Sequence, residues 1–205
     1  MAKEIWEPGM TVVFVAPAVL EVSEKLGFPH VHQKDRFWEL LDLGGITPTR
    51  VIDSKERKAL AEGMAQGSLS EPVRLMFIEK KTSLLLRTGI GLTELNRRVA
   101  VASEKDRAAI PEDKDIEEFL FRAEKLRPNI LAFVTSAEIF VNAFQNRFPG
   151  LTDTPGPQPV RMAGSEVWLL GSTTAQIRGT SLTVQEDLFL ALGERLATLG
   201  AEPKT

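Results

Sequence analysis

The sequence predicts an α/β fold, a three-layer α/β/α sandwich around a mostly parallel, four-stranded central sheet. Two observations carry that expectation. Apolar runs at residues 11–16, 83–87, 130–135 and 167–170 are continuous and not alternating, as strands covered on both faces must be. Helical patterns lie between and after them, at 36–43, 54–64, 75–81, 113–125, 137–148 and 182–199, and strands alternating with helices imply parallel pairing. In such sheets the ligand crevice lies beyond the carboxyl ends of the strands. Those ends fall in 17–23, 88–96, from Ser136 onward, and 171–180. The turn-rich stretch 152–159, T-D-T-P-G-P-Q-P, reads as a surface connection.

Composition narrows the function classes. With 205 residues, 43% of them hydrophobic, the chain is long enough for one well-buried domain and short for two, so a single domain over 1–205 is expected. It has no cysteine, which removes disulfides, thiolate metal sites and a thiol nucleophile and points to a reducing compartment. There is no apolar run of about 18 residues, and M-A-K-E-I-W-E-P-G-M lacks the layout of a signal peptide. A cytoplasmic protein without a membrane partner is the expectation. The net charge is −3, so a nucleic-acid partner would have to be met by a local basic patch.

Several motifs follow one another in an informative order. Glu7-Pro8-Gly9 precedes the first strand, Gly27-Phe28-Pro29 follows it, and Asp35-Arg36-Phe37-Trp38 opens the next helix. Gly89-Ile90-Gly91-Leu92-Thr93-Glu94-Leu95 comes later, and Trp168-Leu169-Leu170-Gly171-Ser172-Thr173-Thr174-Ala175 closes the set. Together they resemble the mismatch-specific uracil-DNA glycosylase and thymine-DNA glycosylase family of the uracil-DNA glycosylase superfamily. The matching elements there read P-G, G-F-P, N-R-F-W, G-I-G-F-T-N-M and a final strand with a minor-groove loop. The resemblance spans nearly the whole chain, with an apparent insertion over 53–81.

The departures bear on chemistry. Where the family's first strand ends in G-I-N-P-G, whose Asn positions the attacking water, this chain reads Ala16-Pro17-Ala18-Val19-Leu20, and the aligned residue is Ala18. A methyl group cannot orient water. The family's base-stacking aromatic is replaced by His30, a flat ring that titrates near neutrality. The wedge position in the last loop is Gln176, followed by Ile177 and Arg178.

Glycosidic cleavage passes through an oxocarbenium-like state, so a carboxylate near the sugar can stabilise positive charge or polarise water. Glu94 is the favoured candidate, because it occupies the place where relatives carry a pocket-facing Asn or Lys. Glu21 and Asp35 are reserves, and Asp35 is also suited to cap the helix that follows it. Pro17, His30, Thr93 and Ser172 are expected to line the base pocket. Thr173, Thr174, Gln176, Ile177 and Arg178 are expected to meet DNA, with hydroxyls and main-chain N–H groups positioned for phosphates. Arg97 and Arg98 would add basic character to the rim. Phe37 and Trp38 read as core. His30 and His32, two residues apart with no third ligand, are poor evidence for zinc, and no metal or cofactor is expected.

The resemblance therefore implies a monomeric, monofunctional glycosylase that flips uracil or a related deaminated base from single- or double-stranded DNA and hydrolyses its N-glycosidic bond. A non-catalytic binder of damaged bases and, more distantly, a small-molecule nucleoside hydrolase remain alternatives.

Overall fold

A computed structural model of the chain describes residues 4–32, 34–103, 106, 109–173 and 181–201. The chain runs β1 (Val12–Leu20), α1 (Glu21–Leu26), α2 (Phe37–Leu43), α3 (Ser54–Ala65), α4 (Glu71–Arg87), β2 (Ile90–Val101), α5 (Asp113–Leu126), β3 (Ile130–Phe133), α6 (Ala137–Phe144), β4 (Gly156–Met162), β5 (Ser165–Leu169) and α7 (Leu182–Ala201). The sheet has five strands in the order β2-β1-β3-β5-β4. The first four are parallel, and β4 runs antiparallel along β5 at one edge.

Helix starts follow local chemistry. Asp53 and Glu56 form a reciprocal capping box at the start of α3, as Glu112 and Asp115 do for α5, and the Ser136 hydroxyl accepts the Ile139 N–H at the start of α6. Four expectations need correction, the first being the strand count, which is five and not four. Residues 83–87, expected as a strand, are the last turn and a half of α4. No breaker separates them from the helical pattern at 75–81. Only Leu85 among them is fully buried, while Ser83 and Arg87 are exposed, which is helical periodicity. The strand instead begins after Gly89, whose φ of 70° ends the helix, and it occupies what was expected to be the loop 88–96. Gly91 in this strand is required by close approach: a Cβ there would meet Met10 Sδ at 2.6 Å and the Ile5 carbonyl oxygen at 2.9 Å. Finally, much of the expected connection 152–159 belongs to β4. Its Pro157 and Pro159 are tolerated because the strand is an edge.

Strand alternation assigns the faces. Phe14 packs edge-on against Phe37 of α2 and stacks with Phe189 of α7, whereas Phe133 meets Phe119 of α5 and Phe140 and Phe144 of α6. Because Phe14 lies in register with Ala132, Phe133 faces the opposite side. Helices thus cover both faces, consistent with a three-layer arrangement. Helices α2 and α7 approach closely at Gly193, where a Cβ would lie 1.8 Å from the Gly44 carbonyl oxygen.

The connections also locate the crevice. The chain leaves β1 over the α2 face toward β2 and leaves β3 over the α6 face toward β5, so the strand order reverses between β1 and β3. A ligand cleft belongs at that point, beyond their carboxyl ends. The last β1–β3 pair is Val15 with Phe133, yet β1 continues to Leu20.

Candidate functional site

Register gathers one row of side chains on β1 and its other neighbour, β2, beside the point where the strand order reverses. Phe14, Ala16 and Ala18 of β1 lie opposite Leu92, Glu94 and Asn96 of β2, so all six side chains share the face covered by α2. Glu94 is the only ionisable group in that row, and it is 6% exposed. Burial pushes its carboxyl up to about 7. The negative charge of Glu4 acts the same way, while the charges of His30, Arg97 and Arg122 oppose the shift.

One wall is built around Asp35, a fully buried carboxylate with three donors. It accepts from His30 Nδ1 at 2.8 Å, from the Thr173 hydroxyl at 2.7 Å and from the Phe37 N–H at 3.0 Å. Burial acts to raise its pKa, but the charge of His30 and the three hydrogen bonds outweigh it and hold the carboxyl below the ordinary range. An ionised Asp35 places a proton on His30 Nδ1. The imidazole stacks on Phe37 with centroids 3.9 Å apart and planes 21° from parallel. His30 also has φ of 55°, a left-handed conformation that costs a non-glycine residue about 1 kcal/mol and concentrates at functional sites.

The same hub ties the loop after β5 to α2. Arg36 N–H donates to the Thr173 carbonyl at 3.0 Å, and the Gln185 side chain of α7 donates to the Ser172 carbonyl. Replacing Thr173 with Val removes one donor from a buried carboxylate. The expected loss is about 2 kcal/mol, read as a lower urea midpoint at unchanged slope. An unchanged midpoint would mean that Thr173 does not help to hold the hub.

Glu94, His30 and Asp35 therefore gather as ionisable neighbours. No family model matches the chain. Asp35, expected as the helix cap, lies one residue before the Arg36 N-cap of α2; its side chain accepts the Phe37 N–H and holds His30. Phe37 and Trp38 are fully buried core residues. Ser172 and Thr173 are buried at the carboxyl end of β5, whereas Thr174, Gln176, Ile177 and Arg178 lie outside the described residues.

Other candidates are placed differently. Pro17 and Ala18 are strand residues and not part of a loop, and Ala18 packs with Val101 and Ala109. Glu21 opens α1 on the exposed surface, away from the buried row. Thr93 points to the opposite face from Glu94, with its hydroxyl bonded to Glu4 and 3.3 Å from Arg122 of α5, so it lines a different surface from the one expected. Arg97 pairs with Glu4 at 3.1 Å, and Arg98 is held by Asp115 at 2.8 Å and by Glu112 at 2.9 Å. These two rim arginines are thus partly neutralised.

Two residues escaped sequence reasoning. Asn96, 4% exposed, lies beside Ala18 in the strand pair and accepts the Arg98 N–H at 3.1 Å. Arg57 reaches the Asp35 main chain from α3. Neither carries a sequence signal, because each depends on burial that only the tertiary fold creates.

Proposed function

We propose that this chain is a monofunctional DNA glycosylase on a three-layer sandwich, one that acts on uracil or a related deaminated base flipped from DNA. The observation that carries the reading is the buried Glu94 carboxyl, pushed up to about 7 by burial, on β2 next to the central strand β1 and within electrostatic reach of His30, which pairs with Asp35. The motif order shared with the mismatch-specific uracil-DNA and thymine-DNA glycosylases supports it.

In this reading the C1′–N bond breaks as positive charge grows on the sugar, and the Glu94 carboxylate stabilises that charge and polarises the attacking water. The water oxygen bonds C1′, its proton passes through the carboxylate to solvent or to the departing base, and a free base and an abasic sugar result. The ring of His30, fixed between Phe37 and Asp35, offers a flat edge to the flipped base. The protein works as a monomer on DNA without a cofactor.

Incubation with oligonucleotides carrying uracil, hypoxanthine, xanthine or mismatched thymine, followed by alkaline cleavage at abasic sites, tests the reading. A strand break at one of these bases is expected. Binding of uracil-containing or abasic DNA without any break would instead establish a non-catalytic binder. That second reading is favoured by Ala18, which places a methyl group where relatives hold the water-positioning amide.

Arg178 should contact phosphate. Its replacement by Ala is expected to weaken binding equally for all sequences and to reduce the salt slope by about one. An unchanged slope would remove it from the interface.

A further inference from the structure

Among the described residues two cations, Arg57 and Lys81, are buried, and of these Arg57 touches the Asp35 hub. Arg57 of α3, 7% exposed, donates through Nη1 to the main-chain carbonyl of Asp35, and its Nη2 binds Glu39 Oε1 at 2.7 Å. Lys81 of α4 is equally buried, but it donates to the Val51 carbonyl and binds the two Glu56 carboxylate oxygens at 2.9 and 3.0 Å. Burying a cation costs free energy unless its donors are well matched, and breaking such a match costs more. The carbonyl that Arg57 holds belongs to the residue whose side chain fixes His30.

The segment from Gly27 to Arg36 needs such support. Its described residues form no helix or strand, only the helix cap at Gly27 and a bridge position at Asp35, and it carries His30 in a left-handed conformation. The arm that braces it is itself fixed, since Glu56 closes the capping box of α3 and is held by Lys81. Arg57 projects from the same first turn of α3, so the guanidinium is delivered from a rigid base.

We propose that Arg57 is a positioning residue that clamps the Asp35 main chain and thereby sets the orientation of the His30 imidazole at the crevice. Its consequence for cleavage rests on the glycosylase reading, but its effect on His30 does not. Arg57 acts through Asp35 and takes no part in the chemistry. The α3–α4 region, which has no counterpart in the motif set shared with the glycosylases, becomes part of the site's support.

The chain has only two histidines, so the ring resonances of the full-length protein labelled with ¹⁵N-histidine resolve His30, with His32 as a reference in the same sample. Arg57→Met keeps the stem and removes the fork. Lys81→Met is a matched loss of a buried cation away from the wall. In Arg57→Met the His30 titration is expected to move down relative to His32 by about half a pH unit or more, because the carboxylate favouring the imidazolium is displaced. Single-turnover cleavage should fall about tenfold from misplacement alone. Lys81→Met should lower the urea midpoint and move the His30 titration much less than Arg57→Met does, because Lys81 reaches the wall only indirectly, through Glu56. Arg57→Lys, which can reach the carbonyl or Glu39 but not both, should fall between parent and Arg57→Met, and it decides by the same titration if the Met variant does not fold. An unmoved His30 titration in the Arg57 variants, or an equal shift in Lys81→Met, overturns the proposal. If the parent cleaves no test base, the titration still decides the positioning role while the glycosylase reading fails separately.

Discussion

If the chain is a DNA glycosylase as proposed, Glu94→Gln is expected to lower single-turnover cleavage by about 10²- to 10³-fold and to leave DNA binding nearly intact. That range is typical for removing one well-placed electrostatic group from an active site. The substitution keeps shape and polarity and deletes only the charge that a cationic sugar needs. The buried row offers no second carboxylate to take over, since Glu21 is exposed on α1 and Asp35 is committed to three donors. The parent should show a companion pH profile. Its carboxyl is pushed up to about 7, so cleavage should rise as pH increases through that value and then level off. A Gln variant within a few-fold of the parent, or a parent rate flat from pH 6 to 8, removes Glu94 from the mechanism.

The same substitution is expected to stabilise the fold at alkaline pH. The Glu94 carboxyl holds its proton to about 7 in the folded chain, against an ordinary value of 4.5. Below 4.5 both states are protonated and the group is neutral in each. Between 4.5 and about 7 the unfolded chain releases its proton more readily, so stability falls as pH rises, and above 7 the fold carries the whole cost of a buried charge. At about 1.4 kcal/mol per pH unit, that cost is about 3 kcal/mol. Glu94→Gln stays neutral throughout. Urea unfolding at pH 8 should show it more stable than the parent by about 3 kcal/mol, with most of the gain gone at pH 5. Equal stability at pH 8 would mean that the carboxyl is solvated in the fold. The two results together would identify Glu94 as a residue whose charge is retained for chemistry and against stability.

The parallel strands 11–16, 130–135 and 167–170 were legible because burial on both faces leaves an unbroken apolar run. Strand β2 was not, since Glu94, Asn96, Arg97 and Arg98 give it the polar look of a loop. Their placement depends on a buried crevice at one end and ion pairs to α5 and Glu112 at the other, neither of which is a local property. Missing the strand also hid Thr93, because adjacent residues point to opposite faces only once the backbone is extended. Strand β4 was obscured by prolines that an edge accepts. At the site, motif order singled out Glu94, His30 and Asp35 but not their joining. Arg57 stood in S-K-E-R-K, which reads as a solvated helical face.

Pro17 carries one further meaning. Ladder bonds from Val134 N–H to Val15 O and from Ile130 N–H to Thr11 O show that odd-numbered residues of β1 direct their main-chain groups toward β3. Pro17 continues that series past the point where β3 has turned away. An ordinary residue there would place both an N–H and a C=O on a buried flank beyond the last β1–β3 pair. Proline presents only the carbonyl. The proline thus leaves one fewer buried main-chain donor to satisfy where β1 outruns β3, and the strand extends there without a glycine.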